Sequence, residues 1–123
     1  MKKMAKILVI DDDERICNSL EDILKENDYE VKFAGDGSEG IEQFRIEKPD
    51  IIITDICMPD MDGIEFIRIL RKLKERVPII VMSGNIIGKN FLQAARLLGA
   101  VDTIAKPFTA KELLEKIAGI LSI

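Results

Sequence analysis

Asp11, Asp12 and Asp13 follow directly on the apolar run Ile7-Leu8-Val9-Ile10, and Asp55 closes a second such run, Ile51-Ile52-Ile53-Thr54. Packing gives no reason for carboxylates at these places. If the two runs are neighbouring parallel strands, one edge of the sheet carries several like charges at close range. That arrangement needs a bound cation, a shared proton or extensive hydrogen bonding, so the acids predict a metal site. Two other runs end on complementary chemistry: Ser83-Gly84 after the fourth and Lys106-Pro107 after the fifth. Hard oxygen ligands suit Mg²⁺, which takes one or two carboxylates together with waters and phosphate oxygens. A hydroxyl and an ammonium suit the remaining oxygens of a transferring phosphoryl group.

The elements that must position these groups alternate along the whole chain. Short apolar runs at 6–10, 31–34, 51–54, 78–82 and 101–105 read as strands. Between them lie stretches with apolar residues at helical spacing: Ile16, Leu20, Ile23 and Leu24; Ile64, Ile67, Leu70 and Leu73; Leu113, Leu114, Ile117 and Leu121. The segments 38–47, with Ile41 and Phe44, and 88–98, with Phe91, Ala94, Ala95, Leu97 and Leu98, are weaker helices. Turn residues fall where the period changes, among them Gly35-Asp36-Gly37, Pro49, Pro59 to Gly63, Pro78, Gly99 and Pro107. Continuous βα alternation with unbroken apolar strands predicts an α/β fold: a five-stranded parallel sheet, doubly wound as (βα)5, with helices on both faces. In such a sheet, binding sites collect at the carboxyl ends of the strands, where the acids, the serine and the lysine fall.

Composition agrees with one compact domain over residues 1–123, 47% apolar and 33% charged. A net charge of −4 with scattered basic residues argues against a nucleic-acid or anionic membrane surface. The apolar stretch before Asp11 is too short for a signal peptide or a membrane span. Cys17 and Cys57 stand apart, as neither a metal-ligand pair nor a disulfide framework, and a cytoplasmic setting is expected. The chain has no histidine, so it holds no histidine base, ligand or phosphohistidine.

The stretches ILVIDDDERI, IIITDICMPDMDG, PIIVMSGN and IAKPF, in that order and spacing, closely resemble the receiver domain of two-component response regulators over the whole chain. The resemblance implies a flavodoxin-like or chemotaxis-regulator-like sheet of strand order 2-1-3-4-5. It implies Asp55 as phosphoryl acceptor, Asp12 as a direct Mg²⁺ ligand (Mn²⁺ substituting) and Asp11 as the acid holding a metal-bound water. It further implies the Cys57 carbonyl as third protein ligand, Ser83 as switch hydroxyl, and Lys106 as the conserved lysine before a cis Pro107. The donor would be a histidine kinase or histidine phosphotransfer protein, and a downstream protein target would dock on the face of helix 4, strand 5 and helix 5. Mg²⁺-dependent self-phosphorylation and slow autodephosphorylation would be the only catalysis.

The chemistry also follows from the residues. A carboxylate can attack phosphorus in line, and phosphoryl transfer depends mostly on positioning and charge neutralisation. Structural roles compete for some positions. Asp11 or Asp12 could cap helix 1, Asp13 is assigned to capping and solvent, and Asp60 and Asp62 to the turn that starts helix 3. Asp55, with no helix to cap, has the weakest structural alternative.

Thr103 stands where most receivers carry an aromatic ring that reports phosphorylation by its rotamer, and Cys57 and Asn85 fill positions that modulate acyl-phosphate lifetime. Rival readings fit less well. A flavodoxin-type carrier needs a phosphate loop after strand 1, where these acids would repel the flavin phosphate. A haloacid-dehalogenase-type phosphatase needs an acid at position 57. A receiver-fold scaffold that binds partners without phosphorylation is the main alternative. The last residues, Leu121-Ser122-Ile123, contain no polar linker, which favours a free-standing module.

Overall fold

The computed structural model describes residues 4–56, 61–84 and 88–122, with side chains throughout except at 88–92. Within these residues the chain alternates β1 (Lys6–Ile10), α1 (Glu14–Glu26), β2 (Glu30–Ala34), α2 (Gly37–Ile46), β3 (Ile51–Asp55), α3 (Gly63–Lys72), β4 (Ile79–Ser83), α4 (Gly88–Leu97), β5 (Asp102–Ala105) and α5 (Ala110–Leu121). The strands form one parallel sheet in the order β2-β1-β3-β4-β5, the expected doubly wound (βα)5 topology.

Strand residues alternate between two faces, so the apolar runs feed two separate cores. Leu8, Ile10, Ile52, Ile79 and Val81 meet Phe44, Phe66, Ile67, Leu70 and Ala95 of α2, α3 and α4. Ile7, Val9, Ile51, Ile53, Ile80, Met82 and Ile104 meet Leu20 and Leu24 of α1 and Leu113 and Ile117 of α5. Burial on both faces explains why β3 and β4 read as continuous apolar runs without alternation.

Helix starts are set locally. Asp13, Asp36 and Asp62 accept from the amides of Arg15, Glu39 and Glu65, which puts Asp13 and Asp62 in the capping roles read for them. Thr109 and Glu112 form a reciprocal capping box on α5. Thr109→Ala is expected to cost about 1 kcal/mol and to lower the melting temperature by about 4 °C, measurable by thermal unfolding followed by circular dichroism.

Details differ from the sequence reading at element edges. β4 begins after Pro78, which has no N–H to give the ladder, and it extends to Ser83, which pairs with Ala105 of β5. Leu97 is 84% exposed instead of joining the core, because it lies two residues from the buried Ala95 and hence on the opposite side of α4. Leu73 is also exposed. It caps α3 just before the chain turns away through Lys74, whose φ is 62°.

Candidate functional site

The register of the sheet brings the acids together. Ile10 pairs with Thr54 across β1 and β3, so the residues that follow, Asp11 and Asp55, emerge side by side at the carboxyl edge. Carboxylate oxygens of Asp11, Asp12 and Asp55 all lie within 4.8 Å of one another. Asp11 is buried, Asp55 nearly so and Asp12 exposed, so the cluster opens to solvent on one side.

Asp11 is held at several points. Its amide donates to the Ala34 carbonyl at 3.1 Å, extending the β1–β2 ladder beyond Ile10. Its Oδ1 accepts the Asp13 amide at 2.9 Å, and its Oδ2 accepts Lys106 Nζ at 2.9 Å. Asp55 Oδ2 accepts the same ammonium at 3.3 Å. Behind it, the fully buried Thr54 donates its hydroxyl to the Asp55 carbonyl at 3.0 Å.

Lys106 therefore bridges β1 and β3 from the end of β5. Its own position is fixed by a 2.7 Å bond from its amide to the Ser83 carbonyl, which also places Ser83 beside it at the end of β4. Burial works against the ammonium charge, but the bond to Asp11 and the charges of Asp55 and Asp11 outweigh it and hold the Lys106 pKa above the ordinary value. The Lys106–Pro107 peptide is cis. Nearby, burial and the charges of Asp11 and Asp13 push the Cys17 thiol up to about 11, so it stays protonated at neutral pH. Its Sγ lies 3.5 Å from the Asp11 carbonyl.

Among the described residues, three carboxylates gather beside one ammonium, a formal excess of negative charge. That donor set fits a small, hard divalent cation. Cys57, Met58, Asp60 and Asn85 lie outside the described residues.

The model of the response regulator receiver domain family matches residues 7–118. The chain belongs to this family. It is 38% identical over 117 residues to the alkaline phosphatase synthesis transcriptional regulatory protein PhoP of Bacillus subtilis, an alignment covering 94% of this chain and 48% of that protein. It is 36% identical over 117 residues to the response regulator MprA of Mycobacterium ulcerans, covering 95% and 50%. The chain thus spans about half the length of the curated relatives it matches. Among solved structures, a CheY-like receiver domain protein from Methanospirillum hungatei superposes with a TM-score of 0.91 at 32% identity, covering 98% of this chain and 95% of the other. The Vibrio cholerae chemotaxis protein CheY4 superposes at 0.88 with 30% identity, covering 96% and 99%.

In this receiver domain some relevant residues are not marked by the sequence for the part they play, Gly63 reading there only as part of a turn and a motif. Gly63, the first residue of α3, packs directly on the strand end: a Cβ there would stand 2.6 Å from the Asp55 carbonyl oxygen. Thr103 is tied to α4, accepting from Arg96 Nη2 at 3.1 Å. Asp102 lies between Arg96, at 3.6 Å, and Lys116 of α5, at 3.1 Å. Only the exchange of an aromatic for a threonine marked this position, and it did not point to Arg96.

Proposed function

We propose that this receiver domain, acting as one module over residues 1–123, is a phosphorylation-dependent signalling switch in a two-component system or phosphorelay. Asp55 accepts the phosphoryl group from a histidine kinase or histidine phosphotransfer protein. The observation that carries this reading is the convergence of Asp11, Asp12 and Asp55 at one sheet edge, with Lys106 bonded to both buried acids.

In the reaction, a carboxylate oxygen of Asp55 bonds to phosphorus as the phosphorus–nitrogen bond to the donor imidazole breaks. Asp12, Asp55 and the Cys57 carbonyl would hold Mg²⁺ or Mn²⁺, with Asp11 holding a metal-bound water. The bound ion supplies neutralisation of charge on the carboxylates and the phosphoryl oxygens. Lys106 offsets charge on the same oxygens. Because it already contacts Asp55, it reaches the new group by a short movement, and β5 moves with it. Ser83 at the neighbouring strand end follows in the same way, which biases the face of α4, β5 and α5 toward a downstream protein target. No helix among the described residues is long and apolar enough to cross a membrane. A cytoplasmic setting is part of the proposal and follows from the kinase or phosphotransfer donor it assumes.

The test is incubation with Mg²⁺ and a small phosphodonor such as acetyl phosphate, read by intact mass. One added phosphoryl group supports the switch. None under conditions that modify a known receiver favours the phosphorylation-independent scaffold, a reading to which Thr103 lends weight.

Metal binding makes a separate prediction. Asp12→Ala is expected to weaken Mg²⁺ binding about tenfold, the loss of one charged oxygen ligand. The fold should stay intact, since Asp12 is exposed and its removal relieves repulsion. Titration of Mg²⁺ against the amide spectrum checks it, and unchanged affinity would remove Asp12 from the site.

A further inference from the structure

At the opposite edge of the sheet, where β4 and β5 begin, Arg71 joins two turns. Its Nη1 donates to the Glu75 carbonyl at 2.7 Å and its Nη2 to the Gly99 carbonyl at 3.0 Å, with the Val77 carbonyl 3.4 Å from both. Gly99 permits this approach. Its φ is 106°, and a Cβ would stand 3.2 Å from Arg71 Nε.

The two turns so joined enclose an open cleft of about 720 Å³ lined by Arg71, Lys74, Glu75, Arg76, Gly99 and Val101, a size common for binding clefts. Its charge is unbalanced. The Glu75 carboxylate is already paired with Lys48 at 3.0 Å. Among the described residues, no carboxylate lies within ion-pairing distance of Arg71, Lys74 or Arg76. Burial and then the adjacent Arg76 charge lower the Arg71 pKa, a sign that the cations repel one another. This is a positive site on a chain whose net charge is −4. The cleft also offers apolar surface, since Val101 in its lining is 50% exposed.

We propose that this cleft binds an acidic peptide segment of a partner protein, its carboxylates facing Lys74 and Arg76 and an apolar side chain resting on Val101. Arg71 donates to backbone carbonyls, so it contributes charge to the cleft instead of a two-pronged clamp on one anion. A field spread over three cations suits several carboxylates along an extended segment. A nucleic acid fits less well, because few phosphates could be neutralised here and the chain as a whole is net negative. The cleft lies at the end of the sheet away from Asp55, so a segment bound there leaves the phosphoryl site open.

The test uses a fluorescein-labelled peptide of alternating glutamate and leucine, titrated into the whole chain by anisotropy and mapped by amide NMR. Binding should perturb amides of 74–77 and 99–101 and weaken as salt is raised. The double charge reversal Lys74→Glu with Arg76→Glu should weaken binding about tenfold or more. Lys111→Glu, an exposed control on α5, should leave it unchanged. Both cleft positions are exposed, and an unchanged amide spectrum outside the cleft verifies folding; Lys74→Gln with Arg76→Gln serves as the milder variant. Perturbations centred elsewhere, affinity insensitive to both double variants, or tighter binding there of a single-stranded oligonucleotide or inorganic phosphate than of the peptide would overturn the proposal.

Discussion

Asp55→Asn is expected to fold like the parent chain and to take up no phosphoryl group under conditions that modify the parent, a loss of about a thousandfold or more in rate. An amide lacks the anionic oxygen that attacks phosphorus, and among the described residues neither other acid of the cluster is expected to replace it. Asp11 is engaged by Lys106 and the Asp13 amide, and Asp12 is exposed. Stability should hold or rise by up to about 1 kcal/mol, since one of several crowded like charges is removed while Lys106 keeps its 2.9 Å bond to Asp11. Intact mass gives the extent of modification. In the parent the adduct should be acid-stable and labile to base and hydroxylamine, as an acyl phosphate is. Peptide mapping that places the group on Ser83, Thr54 or Thr103 would refute the aspartyl mechanism.

Gly63→Ala should be the most damaging small substitution near the site. The added methyl would meet the Asp55 carbonyl oxygen at 2.6 Å and Ile56 Cα at 2.9 Å, and both are backbone atoms that cannot rotate away. The Gly63 amide also donates to the Ile56 carbonyl at 2.9 Å, so α3 cannot withdraw without breaking that bond. The expected cost is about 2–3 kcal/mol, a fall of about 8–12 °C in melting temperature. The displaced segment carries Asp55, so phosphorylation should also slow by about tenfold to a hundredfold, as for other small misplacements of reacting groups. Gly119→Ala is the control. Nothing lies within 4 Å of its added Cβ, and a glycine inside α5 should gain about 0.5–1 kcal/mol on replacement. A Gly63→Ala variant as stable and as fast as the parent would show that the strand end tolerates the shift.

Much of this molecule could be read from short segments. The runs Ile7-Leu8-Val9-Ile10 and Ile51-Ile52-Ile53-Thr54 are strands buried on both faces, and the spacing of Leu20 and Leu24 or Leu113 and Ile117 marks helices with one core face. Asp13 and Asp62 act as caps within three residues of themselves. These signals are local, because periodicity and capping depend on neighbours within about one helical turn. Asp11, Asp12, Asp55, Ser83 and Lys106 were likewise legible as unusual chemistry at strand ends, and the family's motifs supplied the strand order that joins them.

What tertiary structure alone decided lies between residues distant in sequence. Lys106 reaches Asp11 across 95 positions and Asp55 across 51. Their meeting requires β1 to sit beside β3 and β5 to close the sheet in the observed register. The close contact of Gly63 with Asp55, the tie from Arg71 to Gly99 and the bond from Arg96 to Thr103 arise in the same way. A glycine, an arginine and a threonine read as ordinary residues until the crossovers bring another backbone or side chain within reach. That proximity is set by strand order and helix packing, which depend on the whole chain at once, whereas the apolar period that builds each element is contained within it.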